Sequence, residues 1–105
     1  MDSRKYQIVV TQRYLDDVAD VMDYTFMISK DQQVAVKIAS EIDSAVESLE
    51  EMPNRGANYS LLIGRDTDLK YLMVYKYAII YRVEGDIVRV LAVVHTSRNL
   101  IKTFY

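Results

Sequence analysis

The chain has 105 residues, half of them apolar and 27% charged, with a single histidine, no cysteine and a formal net charge of −2. That length and composition describe one ordinary globular domain over residues 1–105, large enough to close a core without staples. They exclude a disordered chain, a disulfide framework and a thiolate or histidine-cluster metal site. The opening MDSRKYQIVV is not a signal peptide, and no apolar run approaches the roughly 20 residues of a membrane span, so the reading is cytoplasmic, with no cofactor.

The charge is unevenly shared. Residues 1–53 hold five Lys/Arg against eleven Asp/Glu, giving −6, and residues 54–105 hold eight against four, giving +4. Such a split points to an anionic partner for the second half, while the acidic balance of the whole argues against a general nucleic-acid binder.

In chain order, Lys5–Val10 reads as a short strand with Tyr6, Ile8 and Val10 on one face. Thr11 follows as an N-cap, its hydroxyl suited to a free helical N–H. Leu15, Val18, Ala19, Met22 and Phe26 then recur at helical steps and predict an amphipathic helix burying that stripe, with Asp16, Asp17, Asp20 and Asp23 outside in solvent. Ser29 and Gln32 resemble a capping box for a second helix. Its stripe is Val34, Ile38, Ile42, Ala45, Leu49 and Met52, and Pro53 ends it. So short a link makes the two helices antiparallel. Asn54–Ser60 reads as a loop, Leu61–Ile63 as a brief strand and Leu69–Tyr75 as a longer one.

Two β-rich runs, Tyr77–Val83 and Ile87–His95, flank Glu84-Gly85-Asp86, the strongest hairpin signal in the chain. A two-residue Gly85-Asp86 turn pairs Val83 with Val88, Tyr81 with Val90, Ile79 with Ala92 and Tyr77 with Val94 on one apolar face. The other face pairs Arg82 with Arg89, Ile80 with Leu91, Ala78 with Val93 and Lys76 with His95, and receives Tyr71 and Met73 from the preceding strand. Arginines placed opposite one another repel, and the apolar groups around them are ill suited to water. This face is therefore expected to be a working surface, with Tyr71, Met73, Ile80, Leu91 and Val93 as its apolar patch. The expected fold is α+β: two antiparallel helices on one face of a mainly antiparallel, four-stranded twisted sheet in the order β-α-α-β-β-β.

Four stretches in this order resemble the RelE/ParE superfamily of bacterial type II toxins: KYQIVV with Thr11, Leu49-x-x-x-Pro53-x-x-Gly56, Ile80-Tyr81-Arg82-Val83 with Gly85-Asp86, and Val93-Val94-His95-x-x-Arg98-Asn99. The resemblance spans nearly the whole chain. It implies a small growth-inhibiting toxin, in plasmid-stabilisation modules among others, neutralised by a cognate antitoxin, as a homodimer or as a heterotetramer with it. It also implies two kinds of target: ParE-like members inhibit DNA gyrase, and RelE-like members cut mRNA on the ribosome.

Metal-independent RNA cleavage needs a base, an acid and cations for the developing phosphorane charge. The candidates are His95, Arg82, Arg89, Arg98 and Tyr105, with Arg65 and Lys76 as further cations toward a partner or nucleic acid. In nuclease members an arginine commonly stands three residues before the tyrosine matching Tyr81; here that residue is Ala78, and Asn99 stands in place of the usual aspartate. The Tyr81-Arg82 pair and the His95-x-x-Arg98 ending resemble the ParE pattern. A gyrase-directed, ParE-like toxin is thus the first expectation, with an endoribonuclease or an inactive binding-only member as the alternatives.

Overall fold

The computed structural model describes residues 5–60 and 67–96. Its elements run β1 (Gln7–Val10), α1 (Gln12–Ser29), α2 (Gln32–Ser48), β2 (Ala57–Asn58), β3 (Lys70–Val74), β4 (Tyr77–Glu84) and β5 (Ile87–His95). Among the described residues the sheet has five strands in the order β1-β5-β4-β3-β2. β1 lies parallel to β5 and the other pairings are antiparallel. The additional strand is β2, two residues inside the expected loop, whereas the strand expected at Leu61–Ile63 lies outside the described residues.

Both helices cover one face. Ile8 of β1, Leu72 of β3, Ile79 and Tyr81 of β4, and Val88, Val90 and Val93 of β5 share a core with Tyr14, Val21, Ile42, Val46 and Leu49. Burying each large aliphatic side chain there is worth roughly 1.5–3 kcal/mol.

The helices are seated differently from their sequence stripes. α1 buries Tyr14, Val21 and Thr25, with Val18 partly covered, while Leu15 and Phe26 stay about half exposed. The buried row is thus one residue earlier than the row of larger apolar groups. Two contacts fix this rotation: the Tyr14 phenol donates to Asp43 Oδ1 of α2 at 2.9 Å, and Asp17 accepts from the Val93 N–H of β5 at 2.9 Å. α2 buries Ala35, Ala39, Ile42 and Val46, and its C-cap Leu49 is buried as well, leaving Val34 and Met52 outside. Its N-cap is Asp31, accepting from the Gln33 N–H, and not Ser29, whose hydroxyl instead donates to the Thr25 carbonyl. Its regular turns end at Ser48, short of Pro53.

The β4–β5 turn is the expected one, with Glu84 opposite Ile87 and Gly85 at φ 60°, where glycine carries no Cβ penalty. Arg82 faces Arg89 and Tyr81 faces Val90. The next pair is Ile80 with Ala92, so Leu91 is an extra residue, a β-bulge. Beyond it Ile79 pairs with Val93, Ala78 with Val94 and Tyr77 with His95. Val93 and His95 therefore lie on the helix side of the sheet, opposite to the side an unbroken two-residue register assigns them.

Candidate functional site

The bulge follows from Thr11. Its N–H donates to the Val90 carbonyl at 3.0 Å and its hydroxyl to the Leu91 carbonyl at 2.7 Å, while that hydroxyl accepts the Tyr14 N–H and caps α1. Successive carbonyls of a regular strand point to opposite edges. Only an irregular backbone turns both toward one residue. Asp17 then takes the Val93 N–H, so α1 continues the edge pairing where β1 stops. Asp17 is held by Arg13 at 3.3 Å and is a structural acceptor, contrary to the expectation that it is solvated like Asp16 and Asp20.

The outer face of the sheet is not an open patch. Ile80, Ala78 and Val94 are buried beneath Tyr59 and Leu69, with Tyr71 and Leu91 partly buried around them, and the Tyr59 and Tyr71 rings meet edge-on at 6.3 Å. Ile80 is fully enclosed and presents nothing to a partner; of the expected apolar patch, only Met73 is substantially exposed, at 44%. Tyr59, in a segment read only as loop, is the residue that sequence reasoning missed. It carries no periodic signal. It becomes a lid because its N–H pairs with the Leu69 carbonyl at 2.9 Å.

Arg82 and Arg89 do share the outer face, but acids accompany them. Arg82 Nε lies 3.2 Å from Asp68 Oδ2, off the line of a hydrogen bond, and its Nη2 donates to Asp68 Oδ1 at 3.3 Å. Glu84 lies 3.2 Å from Arg89 Nε and 3.7 Å from Arg82 Nη1. The period-two rule already puts Glu84 on the face of Arg82, so the opposed arginines have an acid beside them by the strand's own alternation. The pairs relieve the arginine repulsion.

His95 sits at the far end of β5, its ring edge-on to Tyr77 at 5.2 Å. Tyr77 and Arg82 are five residues apart on β4, a rise of about 17 Å, and point to opposite faces. Arg82 and His95 therefore cannot act on one phosphate. Lys76 lies in the turn between β3 and β4, its carbonyl accepting from the Thr96 N–H and hydroxyl at 2.8 and 3.0 Å. Arg65, Arg98 and Tyr105 lie outside the described residues, as does Asn99. Among the described residues no group of three acids or histidines is placed to hold a metal ion, and no helix is long and apolar enough to cross a membrane.

Tyr81, as expected, faces the core, and its phenol does more than pack. It donates to the Pro53 carbonyl and accepts from the Gly56 N–H, both at 2.9 Å. A Cβ on Gly56 would fall 2.5 Å from that phenol oxygen and 2.7 Å from the Tyr71 carbonyl. Leu49, Pro53, Gly56 and Tyr81 thus form one interlock between the exit of α2 and the sheet. Burial pushes the Tyr81 phenol above its ordinary range, and burial followed by the Asp43 contact does the same to Tyr14.

The model of a protein family described as "ParE toxin of type II toxin-antitoxin system, parDE" matches residues 8–100. Among solved structures, the chain is similar to one described as the chromosomal ParDE TA system from P. aeruginosa, with a TM-score of 0.72 and 18% identity over 89% of this chain and 98% of that one. It is also similar to a chain of the toxin–antitoxin complex RelBE2 from Mycobacterium tuberculosis, with a TM-score of 0.61 and 17% identity over 92% of this chain and 98% of that one. No curated protein sequence matches significantly.

Proposed function

The chain belongs to the family of ParE toxins of type II toxin–antitoxin systems, and from that membership we propose that it inhibits growth by binding a cytoplasmic target of the DNA gyrase class, restrained by a cognate antitoxin. The observation that carries the choice of a binding mode is the separation of His95 from Arg82 and Arg89. A metal-independent ribonuclease must bring an acid or base and its cations to one phosphate. Among the described residues the histidine is on the helix side and Arg82 and Arg89 are on the outer side, each tied to a carboxylate. The antitoxin reading is supported by the two similar structures, both of them toxin–antitoxin systems.

The test follows DNA, RNA and protein synthesis separately after induction, with purified protein added to a gyrase supercoiling reaction and to a coupled translation reaction. Expected are a block in DNA synthesis, inhibited supercoiling and intact mRNA. His95→Ala should leave growth inhibition in place. Codon-spaced cuts in translated mRNA with normal supercoiling would overturn the proposal in favour of the ribonuclease.

A further inference from the structure

Six residues of α2 line an open hollow of about 410 Å³: Gln32, Gln33, Val36, Lys37, Ser40 and Glu41. They form two ridges at steps of four, Gln32-Val36-Ser40 and Gln33-Lys37-Glu41, beside the row that α2 buries. Val36, 47% exposed, is the apolar group of the hollow. Lys37 and Glu41 stand one turn apart, yet neither has an ion-pair partner among the described residues. Lysine placed before glutamate is the weaker order for a helical pair, which leaves both charges available. Glu41 Oε2 is moreover shut away from solvent with no hydrogen-bond partner among the described residues. A carboxylate oxygen so placed lacks the donor that buried polar groups normally find. At this edge of the hollow the Tyr75 phenol of the β3–β4 turn meets the Glu41 carboxylate, which raises that phenol above its ordinary value. Tyr75 is 57% exposed, so its ring can turn aside and admit a donor to the carboxylate.

We infer that this hollow binds a small zwitterion of the amino-acid class, its ammonium donating to Glu41 Oε2, its carboxylate accepting from Lys37 Nζ and its apolar side chain lying on Val36. A ligand with only a positive charge would meet Lys37 one turn from its partner, and one with only a negative charge would leave the shielded Glu41 oxygen beside a like charge. An α-amino acid carries both groups on one carbon, and side chains one turn apart have Cβ atoms about 5–6 Å from each other, within reach of both. The Gln33 amide and the Ser40 hydroxyl can each donate or accept at the rim. The volume lies in the range of about 300–1,000 Å³ that small-molecule sites occupy. The site is apart from the outer face of the sheet, and the inference holds whatever the cellular target is.

The test uses the full chain with leucine as the probe and three analogues that each remove one feature. Isoamylamine lacks the carboxylate, isocaproate lacks the ammonium and glycine lacks the apolar side chain. Amide chemical shifts of residues 32–41, followed by NMR, should saturate with a leucine dissociation constant on the order of 1 mM. Each analogue should bind at least about tenfold more weakly. Glu41→Gln and Lys37→Gln should each reduce leucine binding by about tenfold or more. Lys37→Gln should also close the gap between leucine and isoamylamine, and Glu41→Gln the gap between leucine and isocaproate, because the missing charge then has no partner to lose. Circular dichroism checks that both variants keep their helix content. Isoamylamine or isocaproate binding as tightly as leucine, leucine binding indifferent to both substitutions, or no saturable shift with leucine would overturn the proposal.

Discussion

From the Gly85-Asp86 turn out to Tyr81 and Val90, the β4–β5 hairpin keeps the pairing that a two-residue turn dictates, whereas beyond Leu91 each residue of β5 has changed face. The near half is governed by its own turn and by alternation along two strands. The far half is governed by residues about 80 positions earlier in the chain, since Thr11 collects two successive carbonyls and Asp17 takes the next free N–H on that edge. The same hairpin thus teaches how far local rules reach. They hold until a neighbouring element offers backbone partners that only an irregular strand can meet, and one extra residue then decides whether His95 stands with the arginines or apart from them.

The comparison is broken most severely where the two halves join, at Tyr81. Gly56→Ala forces a methyl group against the Tyr81 phenol and the Tyr71 carbonyl; overpacking of this kind should cost about 3 kcal/mol in a urea unfolding curve, or prevent folding. Tyr81→Phe removes the bridge to Pro53 and Gly56 and leaves a partly buried N–H without its acceptor, an expected loss of about 1.5 kcal/mol. Val93 itself should exchange its amide hydrogen little differently in that variant.

The far half is tested by Asp17→Ala, with an expected loss of about 1.5 kcal/mol for the charged acceptor and faster amide exchange confined to Val93 and its neighbours. If exchange accelerates equally at Val83 and Val88, the two halves are one unit and the comparison fails. Alkaline titration gives a smaller effect. The Tyr14 and Tyr81 phenols are held above the ordinary value of 10.0, chiefly by burial. The folded state therefore keeps those protons more tightly than the unfolded chain, and their contribution is complete below that value and declines as pH rises through the folded values. The urea midpoint should drop between about pH 9 and about pH 11, and drop less once both tyrosines are replaced by phenylalanine. Smallest of all is Arg89→Ala, whose half-exposed pair with Glu84 is worth no more than about 0.5 kcal/mol; a larger loss would mean that the outer face relies on its charges.

The stretches that carry the family resemblance are clearest where they build the interlock. There the Tyr81 phenol, the Pro53 carbonyl and the Cβ-free Gly56 meet at one point beside the buried Leu49, which is a role in the fold. The candidate site was less legible. Arg82 and Arg89 were placed correctly by alternation from the turn, and Glu84 was readable by the same rule. Asp68 was not, because nothing local ties a loop carboxylate to a strand.

Strand, paired helices and meander were determined by the sequence alone, since periodicity, turn chemistry and caps act over a few residues and leave their mark in the order of side chains. Which row of α1 is buried, where β5 slips and what covers Ile80 were decided only in the tertiary structure. Tyr14 could select the inner row only with Asp43 present to receive its phenol, the bulge formed only against Thr11, and Tyr59 became a lid only beside Leu69. Each of these outcomes depends on a partner far away along the chain, and the free energy that sets it exists only once both are in place.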